Sequence, residues 1–508
     1  MNPRLLERIA LGSTPSTRPV IAPFTGEVLH ELPLSTPSDV EAAAAALRAA
    51  QPAWSARPVS ERARIILRFH DLVLARREEG LDLLQLETGK ARRDAMEELL
   101  DVLLTARHYG RDAQRLLRPR RHRGAFPLAV GVRELHHPRG VVGVITPWNY
   151  PLTLAVSDAI PALLAGNSIL LKPDAQTSMI ALWAIDLLIE AGLPESCIAV
   201  VTGEGPDVGP AVVDASDYVM FTGSTRVGRE VAGRCGERLI GCSMELGGKN
   251  AMIVRADVDI ARAAEIAARA SFANAGQLCI SMERIYVDAE VYEPFRAAFV
   301  SRTRDLRMQP GVGWGADMGS LISARQLERV AAHVDDARSR GAIVLAGGVA
   351  RPDIGPFYFE PTVLEGVTED MILCDEETFG PVVALYRTTG DEEAIRLAND
   401  TEYGLNAAVL TRDVRAGQRI AARLRAGTVN VNEGYAPGWG STRAPMGGMG
   451  QSGLGRRHGD EGLLKYTEPQ TIATQRMLGF GPQFGMSDAQ WGELLVQGIS
   501  WMKRLGLK

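Results

Sequence analysis

The chain has 508 residues, a formal net charge of -5, and 46% hydrophobic and 23% charged residues. That length exceeds what one hydrophobic core fills, so two or three domains are expected. The ordinary composition excludes a disordered chain, and the small charge, with acids interleaved among the arginines, excludes a general nucleic-acid binder.

The five cysteines are Cys197, Cys235, Cys242, Cys279 and Cys374. They are odd in number, widely spaced and without a CxxC pair. This argues against a disulfide framework or a zinc site, and no metal is expected. Residues 1–19 carry Arg4, Glu7 and Arg8 and no sustained apolar core, so they do not read as a secretory signal. No apolar run approaches membrane-spanning length. The expectation is a soluble cytoplasmic protein without an integral membrane segment.

In chain order, residues 40–115 read as helices, with apolar positions at helical spacing over 61–79 and 81–110. Residues 116–140 are basic, contain Gly124, Pro127 and Gly131, and predict an extended hairpin or a surface loop. From Val141 the pattern alternates. β-like runs at 141–145, 168–171, 198–201 and 218–221 are separated by helix-like segments, the first at 152–164. Such alternation means parallel βαβ units in a doubly wound sheet. A second α/β region spans about 251–428, and a glycine-rich stretch covers 429–457. Residues 488–507 predict an amphipathic helix with Trp491, Leu494, Leu495, Ile499 and Met502 on one side. Packing on the body or on another subunit is favoured over a membrane surface.

Ligands in doubly wound sheets bind beyond the carboxyl ends of strands, so the turns there matter most. The first reads Thr146-Pro147-Trp148-Asn149-Tyr150-Pro151. Two prolines fix the backbone, and Asn149 is presented either as an oxyanion donor or as a helix cap. Lys172 ends the next strand, suited to a nucleotide ribose or phosphate or to snorkelling into solvent. Gly223-Ser224 at a helix start exposes backbone N–H groups to an anion, a weak sign on its own. Glu245 stands before Gly247-Gly248 as a general base or a salt-bridged turn, and Glu377 lies on a second acidic loop. Cys279 follows a helical run that breaks at Gly276-Gln277. Read alone it is a small buried hydrophobe as readily as a tuned nucleophile.

Together, in this order, these pieces resemble the aldehyde dehydrogenase superfamily over nearly the whole chain. The matching runs are 146–151, Lys172-Pro173, Gly223-Ser224-Thr225 with Gly228, Glu245-Leu246-Gly247-Gly248-Lys249, Gly276-Gln277-Leu278-Cys279, Glu377-Thr378-Phe379-Gly380-Pro381 and Ser452-Gly453-Leu454-Gly455-Arg456. Within the superfamily the chain is most similar to the second type of bacterial NADP-dependent succinate-semialdehyde dehydrogenases. The runs Lys172-Pro173-Asp174, 243–250, 276–281 and Met446-Gly447-Gly448-Met449-Gly450 carry that likeness.

The resemblance implies an α/β fold with two doubly wound parallel-sheet domains plus an oligomerisation hairpin and strand. Residues 1–115 with 141–250 would form the dinucleotide-binding domain, and 251–430 the catalytic domain. Residues 116–140 and 465–473 would be oligomerisation segments of a homodimer or homotetramer. Residues 431–464 form a glycine-rich loop region and 488–507 the C-terminal helix. It further implies oxidation of a small-molecule aldehyde to its acid through a thiohemiacetal and a thioester on Cys279. Asn149 would hold the oxyanion and Glu245 would activate water. Trp148, Lys172, Ala175, Gly223, Ser224, Leu246, Glu377 and Phe379 would bind the cofactor. NAD-preferring members often carry a glutamate where Ala175 stands, so NADP is expected, with Arg226 as a helper and NAD the alternative. Succinate semialdehyde is the expected substrate. The arginines that commonly read its carboxylate are replaced here by Ser157 and Ala273, with Arg284 and Arg443 as candidate substitutes. A broad specificity, or another semialdehyde, aliphatic or aromatic aldehyde, is the alternative. A cysteine esterase or hydrolase is the alternative of another class. It would need a histidine partner, and no histidine, His136-His137 included, lies in a matching motif. The intact Asn149, Glu245, Cys279 and Glu377 set argues against a binding protein that lost its chemistry.

Overall fold

The computed structural model describes residues 3–12, 15–124, 129–477, 479 and 481–506. Pro127 of the expected hairpin and Leu507 of the expected C-terminal helix lie outside the described residues. The chain divides into two compact units, Met1–Leu116 with Pro138–Tyr466, and Leu117–His137 with Thr467–Lys508.

In the larger unit, Val141–Ile145 and Ser168–Lys172 are buried at every position, as expected of parallel strands covered on both faces. They are central to a six-stranded sheet. Its order is Gly453–Leu454, Gly241–Glu245, Tyr218–Thr222, Val141–Ile145, Ser168–Lys172, Ile198–Val200. Only the edge pair Gly453–Leu454 with Gly241–Glu245 is antiparallel. The chain builds outward from Val141–Ile145 to Ile198–Val200, then crosses back to Tyr218–Thr222 and builds the other way. The reversal opens a crevice between Val141–Ile145 and Tyr218–Thr222, at the carboxyl ends where doubly wound sheets take ligands. The turns bearing Asn149 and Gly223 hang from those two strands.

The second sheet of this unit has seven strands. Its order is Ile343–Ala346, Thr362–Glu365, Val382–Thr388, Met282–Asp288, Asn250–Val254, Asn406–Leu410, Thr428–Val431. All pairs are parallel except the first. The helix Ile260–Phe272 covers it with a buried alanine face (Ala263, Ala264, Ala267, Ala268 and Ala270) and starts at Asp259, whose carboxylate caps Arg262 N.

Two expected helices are each split. The 152–164 segment forms Pro151–Val156 and Ala159–Leu164, with the break at the buried polar pair Ser157-Asp158. The 81–110 pattern falls into Arg77–Thr88 and Arg92–Leu117 around Gly89. Gly89 has φ 71°, and a Cβ there would stand 2.1 Å from Ser320 Oγ, so the local turn overrides the helical periodicity.

The smaller unit holds a three-stranded sheet in the order Thr467–Gln475, Val130–Pro138, Arg120–Arg123. Its helix Asp488–Arg504 begins in a capping box between Ser487 and Gln490. Trp491 is buried, whereas Leu494, Val496, Ile499 and Trp501 are exposed. Among the described residues no helix is long and apolar enough to cross a membrane, and no cluster of three metal-ligating side chains occurs.

Candidate active site

Cys279 is positioned by a turn that the helix Ile260–Phe272 cannot continue through. Asn274 (φ 50°) and Ala275 (φ 54°) both adopt left-handed backbone, followed by Gly276 at φ 69°. Such a conformation costs roughly 1–2 kcal/mol per non-glycine residue, so the surroundings must enforce it. They do so through side-chain amides. Asn274 Nδ2 donates to Gln277 O (3.0 Å) and Asn149 O (3.2 Å). Gln277 Nε2 donates to Asn274 O (3.1 Å), and its Oε1 accepts from Ile322 N (2.9 Å). At Gly276 a Cβ would lie 2.0 Å from Gly380 O, so glycine is required for close approach as well as for φ. Beyond the turn, Asn250 Nδ2 donates to the carbonyls of Cys279 and Ser281, both at 2.7 Å.

Asn149 is locked to the same turn. Its Nδ2 donates to Gln277 O (3.1 Å), and its carbonyl accepts from Lys90 Nζ (2.7 Å). Lys90 in turn pairs with Glu98, both side chains fully buried. The other oxygen of Glu98 accepts from Leu152 N (2.9 Å) and Thr153 N (3.2 Å) at the start of the helix Pro151–Val156. That helix has Tyr150 at its N-cap position without a side-chain cap, so Asn149 is not spent on capping. An amide carries two N–H donors, and only one is used by Gln277.

Trp148, Asn149, Gly223, Ser224, Glu245, Leu246, Cys279, Glu377 and Phe379 all line one cavity of about 370 Å³ in the larger unit. Lys172 and Ala175 do not line it. Both are buried, at the end of the adjacent strand Ser168–Lys172 and in the turn after it. The loop with Glu377 and Phe379 is tied down by a second buried pair. Lys249 Nζ contacts Glu283 (2.5 Å) and Glu376 O (2.8 Å), and Glu283 accepts from Thr378 N (3.0 Å) and Phe379 N (3.1 Å). Gly248 N donates to Glu377 Oε1 (2.9 Å), and Phe379 packs edge-on against Trp148 with ring centroids 5.5 Å apart.

These residues fit a dinucleotide. Ser224 caps the helix Thr225–Glu237, whose first turn presents free N–H groups to an anion. A Cβ at Gly247 would meet Glu377 Oε2 at 2.4 Å, which keeps the cradle narrow. Ala175 adds no carboxylate to the Asp174 and Glu204 groups that already act on Lys172, whose Nζ donates to Pro173 O (3.3 Å).

Burial dominates the electrostatics. It pushes the Cys279 thiol up to about 12, reinforced by the Glu245 and Glu377 carboxylates. It pushes Glu245 up to about 7, against the pull of Arg457 and Lys465. It pushes Glu377 up to about 8, with Glu283 adding repulsion. A carboxyl group near 7 at a cavity wall is suited to exchange protons at neutral pH.

Several candidate residues are engaged elsewhere in the fold. Arg284 cannot read a substrate carboxylate, because its guanidinium is buried and donates to Lys249 O (2.6 Å), Ala398 O (3.1 Å) and Tyr286 OH (3.1 Å). Arg443 is an exposed partner of Asp112 (3.5 Å). Arg226 pairs with Glu230 one helical turn on (2.9 Å) and faces solvent. Ser157 donates to Asp101 Oδ2 (2.8 Å), and Ala273 is buried in the helix-ending turn. Sequence reasoning missed Lys90, Glu98, Lys249 and Glu283, and also Asp158, Arg457 and Lys465 behind Glu245. The available signal was a charge inside an otherwise apolar run, as at Asp158.

The sequence pattern of the aldehyde dehydrogenase family matches residues 11–472. A Mycolicibacterium smegmatis protein named "Putative succinate-semialdehyde dehydrogenase [NADP(+)]" is 54% identical over 489 residues, covering 96% of this chain and 95% of that protein. The mitochondrial succinate-semialdehyde dehydrogenase of Oryza sativa subsp. japonica is 35% identical over 89% of this chain and 85% of its own. Among solved structures, a Staphylococcus aureus betaine aldehyde dehydrogenase in complex with NAD+ superposes with a TM-score of 0.88 at 30% identity, covering 96% of this chain and 99% of that one. An E. coli NADP-dependent enzyme also reaches a TM-score of 0.88, at 32% identity over 94% of this chain and 99% of its own. With the cysteine turn, the doubly wound sheets and these likenesses together, the chain belongs to the aldehyde dehydrogenase family.

Proposed function

We propose that this enzyme oxidises succinate semialdehyde to succinate with NADP, using Cys279 as nucleophile, Asn149 as oxyanion donor and Glu245 as base. The observation that carries the residue roles is their convergence on one cavity with Gly223, Ser224 and Glu377. In this reading the Cys279 thiol releases its proton to solvent, and the thiolate sulfur attacks the aldehyde carbon. The oxyanion accepts from the free N–H of Asn149 Nδ2 and from the cysteine's own backbone N–H. A nicotinamide, when bound, would supply the hydride acceptor needed for the thiohemiacetal on Cys279 to become a thioester. Glu245 then takes a proton from water, the water oxygen attacks the thioester carbon, the C–S bond breaks, and the acid leaves.

NADP is favoured by Ala175. With no carboxylate at that position, a ribose 2′-phosphate escapes the repulsion a glutamate there would add, and Lys172 is available as its partner. The names of the mycobacterial relatives point the same way. Succinate semialdehyde rests on those relatives, since no arginine stands at 157 or 273. Residues 1–115 with 141–250 serve as the dinucleotide domain and 251–430 as the catalytic domain. The segments 116–140 and 465–473 join subunits of a cytoplasmic homodimer or homotetramer. The test is an absorbance assay crossing NAD and NADP with succinate semialdehyde, glutarate semialdehyde and aliphatic and aromatic aldehydes. The highest kcat/KM is expected for succinate semialdehyde with NADP. A tenfold preference for NAD, or for an uncharged aldehyde, would overturn the corresponding half.

A further inference from the structure

Two buried cations stand behind Glu245 in a cluster that no sequence motif marked. Glu245 ends the strand Gly241–Glu245, and strand alternation puts Ser243 on the same face. Lys465 Nζ lies 3.4 Å from Ser243 Oγ and 3.4 Å from Asp158 Oδ1. Arg457 pairs with Asp158 Oδ2 at 2.9 Å, and Tyr466 OH donates to Asp158 Oδ1 at 3.2 Å. The Arg457 backbone pairs with that of Met446, next to Gly447. Arg457 N donates to Met446 O (2.6 Å) and Met446 N to Arg457 O (2.8 Å). This sets Gly447 so close that a Cβ there would stand 3.1 Å from Glu245 Oε1. The side chains of Arg457, Asp158 and Lys465 are each at most 10% exposed.

Asp158 pairs with both cations, and Glu245 is the next acid that each of them feels. Glu245 Oε1 has no hydrogen-bond partner among the described residues. Other charged or titratable groups facing this corner are Arg456, Asp101 on the helix Arg92–Leu117, and His458, which burial and Arg457 push down to about 3 and so keep neutral. Cys279 faces Glu245 from across the cavity, and Glu377 faces Cys279 there.

We propose that Arg457 and Lys465, held in place by Asp158, are positioning residues that form a buried counter-charge for Glu245 and keep it ionisable as the base of thioester hydrolysis. This rests on the reading of Glu245 as that base. Without the counter-charge, burial would hold Glu245 protonated at neutral pH, and the acyl-enzyme would form but turn over slowly.

The experiment compares wild type, Arg457→Met, Arg457→Lys and Lys465→Met for the pH dependence of kcat and for the pre-steady-state burst of reduced nucleotide. Glu245 must be ionised to act, so the rate rises with pH through its pKa, and loss of a cation moves that acid limb upward. Arg457→Met is expected to shift the limb by one unit or more, about tenfold in rate on the limb, with the burst amplitude retained. Lys465→Met should shift it less, and Arg457→Lys should restore most of the shift. An acid limb unmoved in both methionine variants overturns the proposal, and if Arg457→Met fails to fold, Lys465→Met decides on the same readout. Absence of aldehyde-dependent nucleotide reduction in the wild type would instead overturn the underlying reading of the site.

Discussion

Around one cavity the two reactive groups stand in opposite electrostatic settings. Behind Glu245 lie Arg457 and Lys465, which oppose the effect of burial and leave its carboxyl near 7. Beside Cys279 the strongest charged neighbours are carboxylates, Glu245 and Glu377, which add to burial and push the thiol up to about 12. The contrast says that the base side is ready at neutral pH whereas the thiol side is not. The resting thiol keeps its proton, and something that enters the cavity must help to remove it. An oxidised nicotinamide ring carries a positive charge, and a cation near a thiol lowers its pKa. In this protein cofactor binding and nucleophile activation are therefore expected to be linked.

That contrast can be broken from either side. The largest effect is expected for the oxyanion donor, because it acts only once the thiol has attacked. Asn149→Ala should lower kcat by about 10²–10³-fold with little change in cofactor affinity, as measured by steady-state kinetics and fluorescence titration. A drop of less than about threefold would mean that the Asn149 amide serves only to hold Gln277 O. Next comes the thiol itself. Its rate of alkylation by iodoacetamide at pH 7.5 should rise about tenfold on adding oxidised dinucleotide, as a one-unit fall in pKa gives, and should not rise with the reduced form. Equal rates with both forms would separate cofactor charge from activation. The smallest effect concerns the adenosine end, remote from both groups. Ala175→Glu should shift the NADP-to-NAD ratio of kcat/KM toward NAD by roughly threefold to tenfold, a change of about 0.7–1.4 kcal/mol, and should leave the alkylation response intact.

The groups that touch the cavity were legible in the sequence, whereas the groups that hold them were not. Cys279, Glu245, Asn149 and Glu377 sit in short motifs at strand ends, where glycine and proline mark the turns. Their supports come from far along the chain. Lys90 reaches Asn149 O from 59 residues away, and Lys465 reaches Ser243 from 222 residues away. Nothing local distinguishes such a lysine from a solvated one. The same limit explains Arg284, which looked available as a carboxylate reader. Its guanidinium is consumed by the carbonyls of Lys249, Leu397, Ala398 and Asp400, brought together only by the fold. The split of the 152–164 helix was likewise hidden, because it depends on burying Ser157 against Asp101 and Asp158 against Arg457.

The central claim is that an acyl group passes through Cys279. It is tested most directly by mixing Glu245→Gln with succinate semialdehyde and oxidised NADP, quenching in acid, and mapping the peptides by mass spectrometry. The account predicts a succinyl thioester on Cys279, formed with one equivalent of reduced nucleotide per active site and hydrolysed far more slowly than wild-type turnover. Full nucleotide reduction with no adduct on Cys279, or sustained wild-type turnover by Cys279→Ser, would contradict it.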